Sequence, residues 1–273
     1  MKLTSNLARL SLNQITTNNW NIRQAVDGCV QAGIPSIGLW RNKVAETGLE
    51  ESARIVRDAG LQVSSLLRGG WFPAATAAER QARIDDNRRA IEEAATLQTN
   101  VLVLVCGPAP DRDIQAGRGM VEDAIAELLP FARQHGISLG IEPMHPMYAA
   151  DRSVIVSLDE ANRLVEKFAV DHLGVVIDVF HVWWDAMIYE KIAQAKGHIL
   201  GFHVCDWLVP LPDVLLGRGM MGDGVIEIKR LRTAVDEAGY TGPIEVEIFN
   251  QSIWDAPGDA VIAQLCERYL EHV

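Results

Sequence analysis

Eight short apolar runs alternate with longer amphipathic segments along this chain. The runs are Leu7–Leu12, Ser36–Trp40, Leu61–Leu67, Asn100–Cys106, Ser138–Met144, Gly174–His181, Ile199–Asp206 and Pro243–Asn250. Most are rich in Val, Ile and Leu, which is typical of strands buried on both faces of a parallel sheet. The segments between them have helix-like ends, with a capping-box pattern at Ser157-Leu-Asp-Glu and glycines at Gly33, Gly60 and Gly136. This alternation predicts an α/β fold with a helix after each strand.

The length of the chain fits one barrel built from eight such units. A (β/α)₈ barrel typically uses about 250 residues as one domain, and this chain has 273 residues. An open doubly wound sheet is the alternative, but no Gly-x-Gly-x-x-Gly motif follows the first run to indicate a dinucleotide site. The sequence therefore predicts a single-domain α/β protein, a (β/α)₈ or TIM barrel over residues 1–273.

The charge balance and the cysteines limit the class of function. The formal net charge is −11 at pH 7, which argues against nucleic acid as a partner because phosphate backbones are bound through clustered Lys and Arg. Cys29, Cys106, Cys205 and Cys266 form no CxxC pair, so reduced thiols are expected. No apolar run approaches the ~20 residues of a membrane span, and Met1–Asn13 lacks a signal-peptide pattern. We expect a cytoplasmic protein without a membrane partner.

Metal-ligand residue types stand at the ends of four consecutive runs. They are Glu142, Asp178, His203 and Glu247. A parallel barrel carries its chemistry at the C-terminal ends of its strands, so these side chains are expected to converge on one mouth. A salt bridge would explain any one of them, because buried charges are usually paired or bound to an ion. All four together predict one divalent cation, and three oxygens with one nitrogen suit Mn²⁺, Mg²⁺, Co²⁺ or Zn²⁺.

The eighth run offers two candidate ligands, Glu245 and Glu247. Both side chains lie on one face because side chains alternate with a period of two along a strand. Glu247 lies nearer the C-terminal end of the run and is therefore preferred as the ligand. We expect Glu245 to lie deeper in the barrel, with a structural partner such as a barrel arginine.

Sequence motifs connect these strand ends with a known group of barrels. The motifs are Glu142-Pro143, Asp178-x-x-His181, His203-x-x-Asp206, Arg218 with Gly222-Asp223-Gly224, and Gly242-Pro-Ile-Glu-Val-Glu247. Through them nearly the whole chain resembles the xylose isomerase-like barrel superfamily, which includes sugar phosphate isomerases and epimerases, ketose 3-epimerases, inosose dehydratase and endonuclease IV. The motifs specify the superfamily better than the reaction, because one site architecture hosts isomerases, epimerases and lyases.

The resemblance implies roles for the motif residues. In epimerase-like members one divalent metal, for which manganese is our first choice, is bound by the residues that match Glu142, Asp178, His203 and Glu247. Substrate oxygens are contacted by the residues that match His181 and Arg218, and Asp206 is assigned to the same substrate-binding group. Arg218 can hold a substrate oxygen or carboxylate with its planar fork, or it can be a solvated loop charge.

The relatives share a first step, the removal of a proton next to a carbonyl. A Lewis acid at the carbonyl stabilises the developing enediolate charge. By resemblance to the epimerases, Glu142 and Glu247 would remove and return the proton from opposite faces of the substrate. The sequence therefore predicts a divalent-metal-dependent sugar isomerase or epimerase.

His145 follows Glu142 by three residues, just beyond the strand end. An imidazole at this place can act as a general base near neutral pH. The stretch Glu-Pro-Met-His-Pro-Met-Tyr-Ala-Ala-Asp-Arg is similar to that of the large subunits of C-glycoside deglycosidases, in which a His here is thought to take a proton from a 3-oxo-sugar. Alternatively, His145 caps its loop or supports the metal ligands.

Most of the tryptophans fall at or just after strand ends. Of these, Trp40, Trp71 and Trp183 are expected to line the substrate pocket, because aromatic faces stack against sugar rings and flat aglycones. So many indoles suggest a substrate that is larger or less polar than a small sugar phosphate. The chain also lacks a basic Gly-rich phosphate loop, which indicates an unphosphorylated carbohydrate or glycoside.

Three other functions compete with the isomerase. A nuclease like endonuclease IV needs three zinc ions and His ligands on early strands, whereas His135 is the first histidine of this chain. A non-catalytic carbohydrate-binding barrel would not need all four ligands. A lyase, either an inosose-type dehydratase or a deglycosidase, would use the same metal and the same first proton abstraction, and it remains the main alternative.

Apolar loop residues after the seventh run indicate an assembly. The segment Trp207-Leu-Val-Pro-Leu-Pro is unusually apolar for a strand-end loop and could cover the pocket of a neighbouring subunit. We therefore expect a homo-oligomer. A deglycosidase would instead form a hetero-oligomer with a small, β-rich subunit.

Overall fold

The computed structural model describes residues 7–273, in which short strands carry the predicted apolar runs. The strands are β1 (Leu10–Asn13), β2 (Ser36–Trp40), β3 (Gln62–Gly70), β4 (Val101–Val105), β5 (Ser138–Ile141), β6 (Leu173–Asp178), β7 (Ile199–Val204), β8 (Asp206–Trp207), β9 (Arg218–Gly219) and β10 (Ile244–Val246). Eight of them close into a parallel barrel in the order β1-β10-β7-β6-β5-β4-β3-β2, and β8 pairs with β9 in a separate antiparallel ribbon. Each predicted run overlaps one barrel strand, so the predicted TIM barrel is confirmed.

Helices connect the strands. They are α1 (Ile22–Ala32), α2 (Arg41–Thr47), α3 (Leu49–Asp58), α4 (Ala77–Thr96), α5 (Ile114–Gln134), α6 (Leu158–Phe168), α7 (Val179–Val182), α8 (Ile188–Gln194), α9 (Ile228–Glu237), α10 (Gln251–Asp255) and α11 (Gly258–His272), with 3₁₀ turns at Gln14–Thr17 and Pro146–Tyr148. Their apolar faces are buried; in α1, Ile22, Ala25, Val26 and Cys29 repeat with helical spacing. No helix in residues 7–273 is both long and apolar enough to span a bilayer.

The predicted helix ends are largely present. Gly33 ends α1 with φ of 72°, a left-handed conformation in which its N–H bonds the carbonyl of Cys29. Ser157 caps α6 by accepting the amide of Glu160, as predicted. The reciprocal half of the capping box is different, because the Glu160 carboxylate accepts the amide of Val156.

The barrel interior supplies an apolar floor beneath the polar mouth. Two residues before Asp178, and on the same face of β6, lies the fully buried Val176. Its neighbours Gly140 and Gly201 make room for it, since a Cβ on Gly140 would lie 2.7 Å from a methyl carbon of Val176. The candidate ligands Glu142, Asp178 and Glu247 lie above this floor, at the C-terminal ends of their strands.

The four cysteines carry no disulfide. Cys29, Cys106 and Cys205 are buried, and Cys266 is partly exposed. Reduced thiols agree with the interpretation of their spacing in the sequence.

Candidate functional site

Four side chains converge at the C-terminal mouth of the barrel. Glu142 follows β5, Asp178 ends β6, His203 lies in β7 and Glu247 follows β10. One ligand atom from each lies within 4.8 Å of the others, and all four residues are buried. The barrel register creates this proximity, because Asp178 and His203 are Cα partners on adjacent strands. The convergence predicted from the strand ends is thus present.

Three buried atoms of the cluster have no hydrogen-bond partner among residues 7–273: Glu142 Oε1, His203 Nδ1 and His203 Nε2. Glu142 Oε1 and His203 Nδ1 face each other at 3.4 Å, and Glu247 Oε2 lies 3.7 Å from the same nitrogen. Buried polar atoms are usually satisfied, so unpaired ones in a cluster of carboxylates indicate a site for an ion or ligand. The donor set of three carboxylates and one imidazole fits a divalent cation.

Glu245 lies beside the cluster, near the second ring nitrogen of His203. Its Oε2 is 3.7 Å from His203 Nε2, and its Oε1 accepts a hydrogen bond from Ser65 at 2.7 Å. The expectation of an arginine partner for Glu245 is wrong, because the donors to its carboxylate are the Ser65 hydroxyl and the Asn13 amide. Gly38 makes room for this carboxylate, since a Cβ there would lie 2.2 Å from Glu245 Oε2.

Asn13, which sequence analysis did not select, connects the cluster with a tryptophan. Its Nδ2 donates to Glu245 Oε2 at 3.0 Å and to Glu247 Oε1 at 3.3 Å. Its Oδ1 accepts from Trp40 Nε1 at 2.8 Å. The available signal was a polar residue at the end of an apolar run, the same position that identified the four ligand candidates.

Arg218 is buried among the acidic side chains. Its Nη1 donates to Asp178 Oδ2 at 2.7 Å and to Glu247 Oε2 at 3.0 Å. The guanidinium carbon lies 4.7 Å above the Phe180 ring and 5.1 Å from the Phe249 ring. A solvated loop charge is therefore excluded. Each carboxylate oxygen has two lone pairs, so contact with Arg218 leaves these oxygens able to bind a cation as well.

Burial shifts the protonation of two residues at the mouth. It raises the pKa of Glu142 to about 7, although His203 acts in the opposite direction. It lowers the pKa of His181 to about 3, which keeps that imidazole neutral. Arg218 can only donate, so the 3.2 Å contact with its Nη2 makes His181 Nε2 the acceptor. The proton of neutral His181 is then on Nδ1, a buried nitrogen without a partner.

His145 caps the 3₁₀ turn that follows β5. Its Nδ1 accepts a hydrogen bond from the amide of Met147 at 3.1 Å. In the neutral ring, the proton must then be on Nε2, so the free nitrogen is a donor in this tautomer. Partial burial lowers the pKa of His145 from its usual value, which favours the neutral form. The capping role is present, and a role as general base stays a prediction.

Tryptophans surround the mouth on two sides. Trp40 and Trp71 line a cavity of about 530 Å³ next to the cluster. Trp183 packs against Trp207, with ring centroids 5.5 Å apart, and its buried Nε1 has no partner. Their contact with substrate stays a prediction.

Asp206 holds the loop that precedes α9. Its Oδ1 accepts the amides of Trp207 and Ile226, at 2.9 Å and 3.0 Å, and its Oδ2 accepts that of Gly222 at 2.9 Å. Both oxygens are thus engaged by backbone, and the structure assigns Asp206 a role in holding the loop. Its contact with substrate stays a prediction.

Comparison with known proteins identifies the family of this chain. Residues 26–271 match the family model described as "Xylose isomerase-like TIM barrel". Protein SMc04130 from Sinorhizobium meliloti 1021 has a solved structure that is 47% identical, with a TM-score of 0.96 over 97% of this chain and 98% of that one. The inosose isomerase of Bacillus subtilis (strain 168) is 24% identical over 144 residues, 51% of this chain. The matched region covers only 50% of that curated relative.

More distant solved structures share the fold. The IOLI protein, solved with a binding zinc atom, is 20% identical with a TM-score of 0.84, over 97% of this chain and 98% of that chain. The 3-keto-D-glucoside 4-epimerase YcjR from E. coli is 17% identical with a TM-score of 0.73, over 93% and 95%. At these identities the likeness establishes the barrel alone.

Proposed function

Since this chain belongs to the xylose isomerase-like TIM barrel family, we propose that it is a divalent-metal-dependent isomerase or epimerase of a carbohydrate with a carbonyl group. The buried cluster of Glu142, Asp178, His203 and Glu247 carries the proposal, because its unpaired atoms fit a cation. The names of relatives, inosose isomerase and 3-keto-D-glucoside 4-epimerase, support a keto-sugar as the substrate class.

The four residues of the cluster would hold the cation, with manganese as the first choice. A divalent cation bound there supplies a Lewis acid for negative charge that develops on a substrate oxygen. Glu142 would act as a base in its ionised form, which a divalent cation bound to the same cluster favours. Glu142 and Glu247 belong to β5 and β10, which β6 and β7 separate in the barrel. This separation supports an approach of the two carboxylates from different sides of the substrate, as removal and return of a proton on opposite faces requires.

Two neighbouring residues would orient the substrate. The neutral His181 presents its unpaired Nδ1–H to the site, and Arg218 has donors beyond those bound to carboxylates. Both groups are hydrogen-bond donors, so they suit the hydroxyl and carbonyl oxygens of a sugar. Glu142 would take the proton from the carbon next to the carbonyl, and Glu247, protonated at the start of the cycle, would give its proton to the other side of the enediolate. Proton exchange with solvent would then return both carboxyl groups to their starting forms.

A metal-dependent lyase is the second candidate. Aromatic rings around His145 favour it, because Trp207 and Trp184 lie 5.1 Å and 5.7 Å from that ring by centroid. A wall of this kind suits the flat aglycone of a 3-oxo-glycoside or C-glycoside, which would leave after the same first proton abstraction. A deglycosidase of this type would require a small partner subunit.

Metal content tests the site directly. Elemental analysis of the wild type, Glu142→Ala and His203→Ala should give about one Mn, Mg, Co or Zn per wild-type chain and a loss in both variants. Glu122→Ala and His198→Ala, which change residues outside the cluster, should keep the metal. Absence of metal from every preparation, also after reconstitution, would contradict the proposal, and three zinc ions per chain would favour a nuclease.

Substrate screening in deuterated water tests the reaction. Ketoses, inososes and 3-oxo-glycosides should be incubated with the metal-loaded enzyme and followed by NMR. An isomerase or epimerase incorporates deuterium at carbon next to the carbonyl and returns a rearranged sugar. A lyase releases a second product from the β carbon. Lack of both with all three substrate classes would reject proton abstraction at a sugar carbonyl.

A further inference from the structure

A cavity of about 530 Å³ lies between the ends of β2 and β3 and helix α4. Trp40, Arg68, Trp71, Arg83 and Asp86 are among its lining residues. The cavity is next to the metal-ligand cluster: Trp40 bonds Asn13 at 2.8 Å, and Asn13 bonds Glu247 at 3.3 Å. A substrate with its carbonyl at the cluster could therefore extend into this space.

Arg68 and Arg83 are the charged groups of this cavity without a salt bridge to any residue in the range 7–273, and Arg68 is the partly buried one of the two. Its guanidinium carbon stacks 4.1 Å from the Trp71 ring centroid, and it forms no salt bridge with any residue in the range 7–273. The charge of Asp86 acts on Arg68 from a distance and raises its pKa, but the Asp86 oxygens bond Arg41 at 2.9 Å and 3.2 Å and Arg89 at 3.0 Å rather than Arg68. A partly buried arginine of this kind is unusual, since buried charges are normally paired.

Other cations add to the positive potential around Arg68. Burial is the main cause that lowers the Arg68 pKa, and the charges of Arg152, Arg41 and Arg83 act in the same direction. Arg152 is itself paired with Asp151, since its Nε lies 3.6 Å from Asp151 Oδ2. The whole chain has a net charge of −11, so the unpaired Arg68 and Arg83 stand against an acidic background.

We propose that this cavity is a subsite for an oxyanion group of the substrate, a sugar carboxylate or a sugar phosphate, with Arg68 as its principal ligand. The inference rests on the proposed function, because the carbonyl end of the same molecule would reach the metal-ligand cluster. A sugar carboxylate would agree with the expectation of an unphosphorylated substrate, whereas a sugar phosphate would revise it, because that expectation depended on the absence of a phosphate loop. Here, an arginine fork supplies the anion contact.

The geometry suits an oxyanion in particular. A guanidinium presents parallel N–H donors that match two oxygens of a carboxylate or phosphate. Stacking on Trp71 fixes the plane of the Arg68 fork and leaves its edge for a ligand. Trp40, on the other wall, offers an aromatic face to the sugar ring between the two sites.

Calorimetric titration with three matched sugars tests the proposal. D-glucuronate, D-glucose 6-phosphate and D-glucose differ at the same carbon, so their comparison isolates the charged group. We expect at least one charged sugar to bind wild-type protein about ten- to a hundredfold more tightly than glucose, the range of one or two charge-assisted hydrogen bonds. The preferred one identifies the source as a carboxylate or a phosphate.

Variants of Arg68 test whether this residue causes the preference for charged sugars. Arg68→Gln should remove the preference for charged sugars. Arg230→Gln is the matched control, because Arg230 also stacks on an aromatic ring, that of Tyr189 at 4.0 Å. Since Arg230 lies outside the cavity, this variant should keep the preference. Should Arg68→Gln fail to fold by circular dichroism, Arg68→Lys carries the test. Arg68→Lys keeps the charge without the planar fork and should weaken charged-sugar binding several-fold.

The outcomes separate this inference from the proposed function. Equal binding of the three sugars, no measurable binding of either charged sugar, or a preference that survives in Arg68→Gln would overturn the oxyanion subsite. Titration requires no turnover, so its result is independent of deuterium exchange. A preference for charged sugars without deuterium exchange in any keto-sugar would reject only the isomerase. Deuterium exchange without this preference would reject only the oxyanion subsite.

Discussion

Asn13 Nδ2 donates a hydrogen bond to Glu247 Oε1 over 3.3 Å, and the two residues are 234 positions apart in the chain. The contact fixes one oxygen of a candidate metal ligand. It also joins that ligand to Glu245 and Trp40, because Asn13 bonds both of them. Asn13 thereby orients the metal site without being a candidate ligand itself.

We predict that Asn13→Ala weakens metal binding about ten- to a hundredfold, the usual effect of losing a residue that orients a ligand. The measurement is a competitive titration with a fluorescent chelator. Asn162→Ala is the matched control, because Asn162 is also buried and hydrogen-bonded but contacts the carbonyl of Lys191. Unchanged affinity in Asn13→Ala would remove Asn13 from the metal site.

Removal of Arg218 should destabilise the metal-free protein. Its guanidinium contacts Asp178 and Glu247, which are both buried, so Arg218→Met leaves their charges uncompensated. The expected loss is about 3–5 kcal/mol of unfolding free energy, measured by urea denaturation in EDTA. Saturating Mn²⁺ should recover part of this loss, because a cation bound to the folded state stabilises it.

The Arg218 experiment has a surface control. Arg54→Met removes exposed ion pairs with Glu51 and Asp58, and we expect little change because such pairs are screened by water. Equal stability of Arg218→Met with EDTA and with Mn²⁺ would contradict a cation among these carboxylates.

From the lowered pKa of His145 we predict that activity declines at acidic pH. Burial lowers its pKa below 6.5, so the imidazole is neutral at pH 7 and gains its proton only as the pH falls. A protonated Nδ1 cannot accept the amide of Met147, so acid should weaken the turn after β5. kcat/KM should therefore decline on the acidic side in the wild type.

The variant His145→Asn separates the cap from the titration. Asn is a favourable N-cap residue and its amide does not titrate in this range, so the acidic decline assigned to His145 should be absent. ¹⁵N NMR of the wild-type imidazole should also show the proton on Nε2 at neutral pH. An Nδ1–H tautomer, or an identical pH profile in the variant, would contradict this assignment.

Exposed valines next to the mouth predict self-association. Val209 is 69% exposed and Val214 is 52% exposed, both in the loop between β8 and β9. Exposed apolar residues grouped in this way mark interaction surfaces. We expect an oligomer by light scattering at micromolar concentration, and a smaller mass for the double variant Val209→Asp, Val214→Asp.

A control variant distinguishes this loop from other exposed valines. Val30→Asp, on α1, should leave the mass unchanged, because Val30 is similarly exposed but lies away from the mouth. A monomeric wild type would contradict the homo-oligomer, whereas the alternative with a small partner subunit is tested by co-purification.

The sequence by itself determined the barrel and the four candidate ligands. Runs of Val, Ile and Leu are local patterns, and the C-terminal ends of parallel strands meet at one mouth in any barrel of this type. Glu142, Asp178, His203 and Glu247 could be selected because each is a polar residue at such an end. The choice of Glu247 over Glu245 needed only the period of two and the distance from the end of the strand.

Only the tertiary structure decided which partners these residues have. The Ser65 and Asn13 contacts of Glu245 join residues 180 and 232 positions apart, and no local pattern specifies such a pair. Arg218 looked equally like a solvated loop charge until the fold buried it against Asp178. Arg68 likewise lacks a salt bridge within residues 7–273 because its neighbour Asp86 already bonds Arg41 and Arg89. Side-chain pairing is a property of packed surfaces that meet only after the barrel closes, so it cannot be read from strand ends.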